Sequence, residues 1–193
     1  MKWIIGLGNP GNEYEQTRHN VGFVVLDEMV RKFKRRWEAG KGDYLLTRLR
    51  YRDEDIELVK PLTYMNNSGL AVADIVDRYE APTESILVVC DDFNIPLGQL
   101  RLRPGGTDGG HNGLYSIIYQ LRTEMFPRLR CGIATDRTPR NKEMMAAYVL
   151  SAFEPEELPA VKAMVPRASE AALCFSVEGI ERAMNRYNQS STS

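Results

Sequence analysis

The residues best able to do chemistry are few. The chain has only two histidines, and both sit in polar, glycine-flanked stretches: His19 in "TRHNVGF" and His111 in "GGHNGL". A histidine on an apolar helical face is usually a satisfied core residue, but neither of these lies in such a pattern. Asp91 and Asp92 close the most apolar run of the chain, "SILVVC". A carboxylate there can accept a proton from an imidazole and hold that ring as a general base. The competing reading of "DD" is a plain turn or helix cap. Cys90 has the right type for a nucleophile, yet within "ILVVC" it reads as a small buried hydrophobe. The chain contains no G-x-S-x-G elbow, no H-E-x-x-H and no G-x-x-x-x-G-K-[ST] phosphate loop. One candidate base and several asparagine amides point to direct attack by an activated water, with amides holding the substrate and the developing oxyanion.

The stretch "GLGNPG" at residues 6–11 spells the dinucleotide fingerprint G-x-G-x-x-G. That fingerprint requires its third glycine to open a helix, and an acid at the end of the next strand about 20 residues on. Here "NEYEQTRHN" follows, polar and without apolar period, and Asp27 and Glu28 fall inside the next helical pattern. The dinucleotide reading fails on context. What remains is a stiff turn at a strand end that displays Asn9, and by itself it is no more than a turn.

The elements that must position these residues follow from periodicity. "KWIIGL" reads as a buried strand, and Leu26, Met29, Val30, Phe33 and Trp37 predict an amphipathic helix over 21–37. "DYLLTRLRY" and "DIELVK" form a hairpin around "RDED". A helix over 68–79 precedes the strand that ends in Asp91 and Asp92. "GQLRLR" reads as a strand and "PGGTDGGHNG" as a glycine-rich loop. "LYSIIYQL" is a helix, "RLRCGIA" a strand, "TDRTPRNKE" a polar loop, and the remainder is helical. Strands alternating with helices predict an α/β fold: one globular domain, residues 1–187, with a twisted mixed sheet flanked by helices. The tail 188–193 has nothing to bury and is expected to be disordered.

At 193 residues the chain suits one domain, long enough to bury about 70% of its unfolded surface. Its three cysteines are far apart and lack metal spacing, which suits reduced thiols in the cytoplasm. No signal peptide or membrane span is expected. The net charge of −1 conceals blocks: 11 basic against 6 acidic residues in 1–52, 2 against 10 in 53–100, 8 against 4 in 101–150 and 4 against 6 in 151–193. A local basic face can therefore meet phosphates, although solvated surface charge accounts for such blocks equally well.

Taken together and in this order, "GLGNPG", "TRHNVGF", "KPLTYMNNSG", "DD…PLG" and "GGHNG", with "YVLSAF" at 148–153, make the sequence resemble the bacterial-type peptidyl-tRNA hydrolases. The resemblance implies an esterase needing no cofactor and no metal, which cleaves the ester between a peptide and the 3′-terminal ribose of tRNA so that the tRNA is recycled. It implies His19 as the base that activates water, Asp91 as its orienting carboxylate, and Asn9 beside the water and the scissile carbonyl. Asn66 and Asn112 would hold the peptide backbone and the tRNA end, and Tyr14 would line the crevice. Arg103 and Arg130 match residues that clamp the 5′-phosphate. The implied partner is peptidyl-tRNA, with no membrane, for a cytoplasmic monomer. Two departures stand out: "DDFNIPLG" where the family usually has a "DLDLPxG" type of segment, and "ATDRTPR" after "RLRCGI". The rivals are a non-catalytic RNA-binding module of the same fold, and an aminopeptidase or nucleoside-phosphorylase-like enzyme on a similar sheet.

Overall fold

The computed structural model describes residues 1–189, the side chain of Lys142 excepted. Strand β1 (Lys2–Gly6) shows why the chain makes a two-layered core. Its residues are apolar on both sides, so Ile4 faces one cluster while Trp3 and Ile5 face another. The first cluster is closed by helices α1 (Val21–Lys32) and α5 (Leu158–Tyr187), the second by α2 (Ser68–Tyr79) and α3 (Asn112–Leu121). Between these layers runs a seven-stranded sheet in the order β2-β3-β4-β1-β5-β7-β6.

The strand pairing is mixed, as the sequence predicts. β4 (Glu54–Pro61), β5 (Ile86–Pro96) and β7 (Arg128–Ala134) join β1 in a parallel centre. β2 (Glu38–Ala39) and β3 (Tyr44–Tyr51) continue one edge antiparallel, and β6 (Leu100–Arg103) closes the other. The parallel strands all end on one rim, the edge at which open α/β sheets place ligands. Onto that rim open the loops carrying Asn9, Asn66 and residues 135–141, and the far half of β5.

Three features depart from the sequence reading. Helix α1 stops at Lys32 rather than continuing to Trp37. Lys34 adopts φ 52° and the Arg35 N–H bonds back to Val30 O, a left-handed stop that 3.6-residue periodicity does not register. Phe33 and Trp37 still pack on the core, which is why the apolar pattern outlasts the helix. Second, Asp91 and Asp92 lie inside β5, not at its end, because the strand continues through an irregularity between Asp92 and Pro96. Third, the C-terminal region is two helices: a short α4 (Lys142–Val149), then α5, which Gly179 interrupts at φ 83°. Of the expected disordered tail, 190–193 lie outside the described residues. Asn188, counted with that tail, pairs its amide with both backbone groups of Leu102. Among the described residues no helix is long and apolar enough to cross a membrane.

The glycines of "GLGNPG" now have physical reasons. A Cβ on Gly6 would lie 2.5 Å from the Gly22 carbonyl oxygen, so β1 and α1 touch backbone to backbone. Gly11 turns the chain at φ 116°. Short 3-10 turns at Asn12–Tyr14 and Arg18–Asn20 follow, and no helix starts before Val21. Hence no helix N-terminus is available there for a pyrophosphate.

Candidate active site

Close packing of α1 on β1 and β5 brings the turn Arg18–Asn20 over the far half of β5. There the His19 Nδ1 lies 2.8 Å from Asp91 Oδ1, both side chains buried. The same oxygen lies 3.0 Å from Nε2 of His111, and the two rings are tilted with centroids 4.9 Å apart. His111 caps α3: its Nδ1 accepts the Gly113 and Leu114 backbone N–H groups at 3.1 and 3.3 Å. An acceptor nitrogen carries no proton, so the ring's proton sits on Nε2 and is donated to Asp91. His19 donates Nδ1–H to the same carboxylate, which leaves its Nε2 lone pair as the free position of the ring.

The electrostatics agree with that arrangement. Burial alone would push the Asp91 carboxyl up, but the charges and hydrogen bonds of the two imidazoles hold it below the usual carboxylate range. Burial disfavours the His19 cation, and the Asp91 charge and hydrogen bond together outweigh it, leaving the His19 pKa raised. Burial pushes the Cys90 thiol well up, so it stays a neutral core residue and not a nucleophile.

Asn9 is fixed by two neighbours. Its Oδ1 accepts the Met65 N–H at 2.8 Å, which assigns the amide and leaves Nδ2 as a free donor among the described residues. Its backbone N–H and carbonyl are both bonded by the Asn20 side chain, each at 2.9 Å. The residue after His19 therefore holds the loop of Asn9. Met65 follows Tyr64, which sits at φ 59° and ψ 159°, a strained conformation for a tyrosine. The Tyr64 ring meets Tyr14 edge-on at 6.4 Å.

Asn66 and Asn112 are exposed on the rim, and their amides make no hydrogen bond among the described residues. Arg103 and Arg130 both sit on the β6–β7 edge. Arg103 pairs in register with Arg128, and Arg101 with Arg130, which puts all four arginines on one face of that ladder. Arg130 is already engaged, donating to Asp92 Oδ2 at 3.1 Å and to the Thr107 carbonyl at 2.9 Å. Arg128 is fully buried and donates to the carbonyls of Thr107 and Glu124. Burial brings its pKa down to about 10. This geometry leaves Arg103 the most open cation of the pair expected from sequence.

Sequence reasoning missed four contributors. Asn20, Tyr64 and Arg101 were visible as types, but nothing local named their partners. Arg18 is the fourth. Its guanidinium is buried between the rings of Tyr148 and Phe153 and bonded to Glu157 at 2.6 Å, to Ser151 and to the Ala152 carbonyl. It straps the His19 turn to the segment between α4 and α5. The sequence spacing also gave no metal cluster, whereas the fold brings His19, Asp91 and His111 ligand atoms within 4.8 Å of one another. A metal ion there would need lone pairs on His19 Nδ1 and His111 Nε2. Those are the atoms that carry the protons of this network, so the donor set does not fit a cation.

The match with known proteins extends along the whole chain. The family model described as peptidyl-tRNA hydrolase matches residues 3–193. A peptidyl-tRNA hydrolase of Chlorobium phaeobacteroides (strain BS1) is 47% identical over 189 residues, 98% of each chain. That of Chlorobium limicola is 45% identical over the same share. Among solved structures, the peptidyl-tRNA hydrolase of Acinetobacter baumannii superposes with a TM-score of 0.91 at 33% identity, covering 97% of this chain and 94% of that one. A uridine phosphorylase from Vibrio fischeri shares the fold alone, at 10% identity and a TM-score of 0.50. Family model, relatives and structures agree, and the chain belongs to the peptidyl-tRNA hydrolase family.

Proposed function

We propose that this protein hydrolyses the ester joining a peptide to the 3′-terminal ribose of tRNA, acting as a cytoplasmic monomer that needs neither metal nor cofactor. The observation that carries the mechanism is the fixed pair of His19 and Asp91, with the Asn9 amide locked by Met65 beside it. Asp91 holds the His19 Nδ1–H, so the Nε2 lone pair takes a proton from water as that water attacks the ester carbonyl. The Asn9 Nδ2 donates to the oxygen on which charge develops. The proton on Nε2 then passes to the departing ribose oxygen, which returns the imidazole to its starting tautomer. A ribose alkoxide needs less help to leave than an amine, so one histidine suffices.

Two terms give the scale of the effect. A positioned general base contributes roughly 10²–10⁴-fold, and one oxyanion donor about 3 kcal/mol. Asn66 and Asn112 offer amides suited to peptide backbone and ribose, groups that do not vary with the peptide's sequence. Arg103, with Arg130 behind it, offers the phosphate contact.

The test is hydrolysis of an N-blocked aminoacyl-tRNA in the presence of a chelator, with His19→Ala in parallel. Wild type should release the amino acid and spare free aminoacyl-tRNA, while the variant binds tRNA without turnover. Intact substrate after prolonged incubation with wild type would leave a tRNA-binding module of the same fold.

A further inference from the structure

Strand β4 breaks its own pattern at Lys60. Ile56 and Leu58 point into the cluster under α1, and the two-residue period puts Lys60 on that same face, where a core residue is due. Its ammonium is nearly closed off from water, with 11% of the side chain exposed. Burial pushes its pKa down, against the pull of Asp27. A cation placed so costs stability that an apolar residue would not, and local rules broken in this way mark functional or strained sites. The reaction proposed above makes no use of it.

Its contacts lead to Asn9. Lys60 Nζ donates to Asp27 Oδ1 at 2.5 Å, and Trp37 Nε1–H donates to the same oxygen at 2.8 Å. The ammonium stands over the rings of Trp37 and Phe23, 4.9 and 5.0 Å from their centroids. Phe23 is buried but belongs to neither main core. Its ring lies against the backbone just before Asn9: a Cβ on Gly8 would come within 2.7 Å of it. Asn20, Phe23 and Asp27 follow one another along one face of α1. From that face Asn20 bonds the backbone of Asn9, Phe23 presses on Gly8, and Asp27 holds Lys60. β4 leads to the other support, since the chain beyond Lys60 turns at Tyr64 and presents the Met65 N–H to Asn9 Oδ1.

We infer that Lys60 is a positioning residue for the Asn9 amide: by tying α1 to the end of β4, it fixes the two supports of that amide relative to each other. The inference rests on the function proposed above, in which Asn9 Nδ2 meets the developing oxyanion. Such a donor works through its placement, so a shifted loop costs rate without costing substrate affinity. A cation over ring faces and on a carboxylate holds those groups at set positions, whereas apolar packing in the same place is non-directional.

Lys60→Met is the test, because it keeps the apolar stem and removes the charge. Asp27 stays hydrated, with 51% of its side chain exposed, so the midpoint of denaturant unfolding should change little. On N-blocked aminoacyl-tRNA, kcat should fall roughly 10- to 10²-fold, the scale of a catalytic group misplaced from a distance, with KM unchanged. In the Asn9→Ala background the same substitution should cost no further rate, since the group it positions is gone. Hydrogen exchange of the Met65 N–H, whose acceptor is Asn9 Oδ1, should speed up in Lys60→Met while that of Ile117 in α3 does not change. An equal loss in both backgrounds, a rise in KM in place of a fall in kcat, or no loss at all overturns the assignment. If Lys60→Met does not fold, Phe23→Leu, which leaves the ion pair in place, carries the same expectations through the same cycle. Failure of wild type to hydrolyse any peptidyl-tRNA overturns the function itself; unchanged exchange at Met65 overturns the positioning role separately.

Discussion

His19 and His111 bond to one oxygen of one carboxylate, yet they come from regions built on opposite plans. His111 uses both ring nitrogens within the fold: Nδ1 caps α3 and Nε2–H meets Asp91. Its proton is committed, and the helix N-terminus enforces the tautomer. His19 uses only Nδ1, on a short 3-10 turn that leads into α1 without its ring capping that helix, and its Nε2 is left over. A histidine with both nitrogens occupied is structural. The one with a spare lone pair, in a turn strapped down by distant residues, is the one able to move a proton.

Breaking the strap should have the largest effect on the fold. Arg18→Gln leaves Glu157 buried without its cation, and removing one partner of a buried pair costs about 3–5 kcal/mol. Denaturant unfolding should show that loss, and activity should fall with it. Asn9→Ala keeps the histidine pair and removes the oxyanion donor, so kcat should drop about 10²–10³-fold with KM little changed. An equal rise in KM would instead make Asn9 a binding residue. His111→Ala attacks the structural partner: it removes a helix cap, worth typically about 1 kcal/mol, and leaves His19 on Asp91. A smaller drop in kcat than for Asn9→Ala is expected; loss as large as for His19→Ala would put the two histidines in one class. Arg103→Ala touches neither and should lower the slope of log KM against log salt by about 1.

The contrast also explains what could be read from sequence. Asn9, by itself no more than part of a turn, was named only through the family resemblance, whereas His19 and Asp91 were candidates on residue type and local setting alone. The central strands were legible for the same reason, since Trp3 to Ile5 and Ile86 to Val89 are apolar without break. Arg18 was not, because its partners lie 133 to 139 residues away. Nor was the second bond on Asp91, which depends on α3 starting at one particular residue. The end of α1 was misjudged because one left-handed residue, Lys34, stops the helix while the apolar pattern continues. The four arginines on one face emerge only from the β6–β7 register, in which "RLR" meets "RLR".

The central claim is that Asp91 sets the proton affinity of His19, and the pH dependence of kcat/KM tests it most directly. The base must be neutral, so activity falls as pH drops through the His19 pKa of the folded protein. Since that pKa is raised, the acid limb of wild type should lie above the ordinary histidine value of about 6.5. In Asp91→Asn the carboxylate is gone and burial remains, so the limb should move to lower pH while the plateau rate falls. An acid limb that stays in place when Asp91 is replaced would contradict the account.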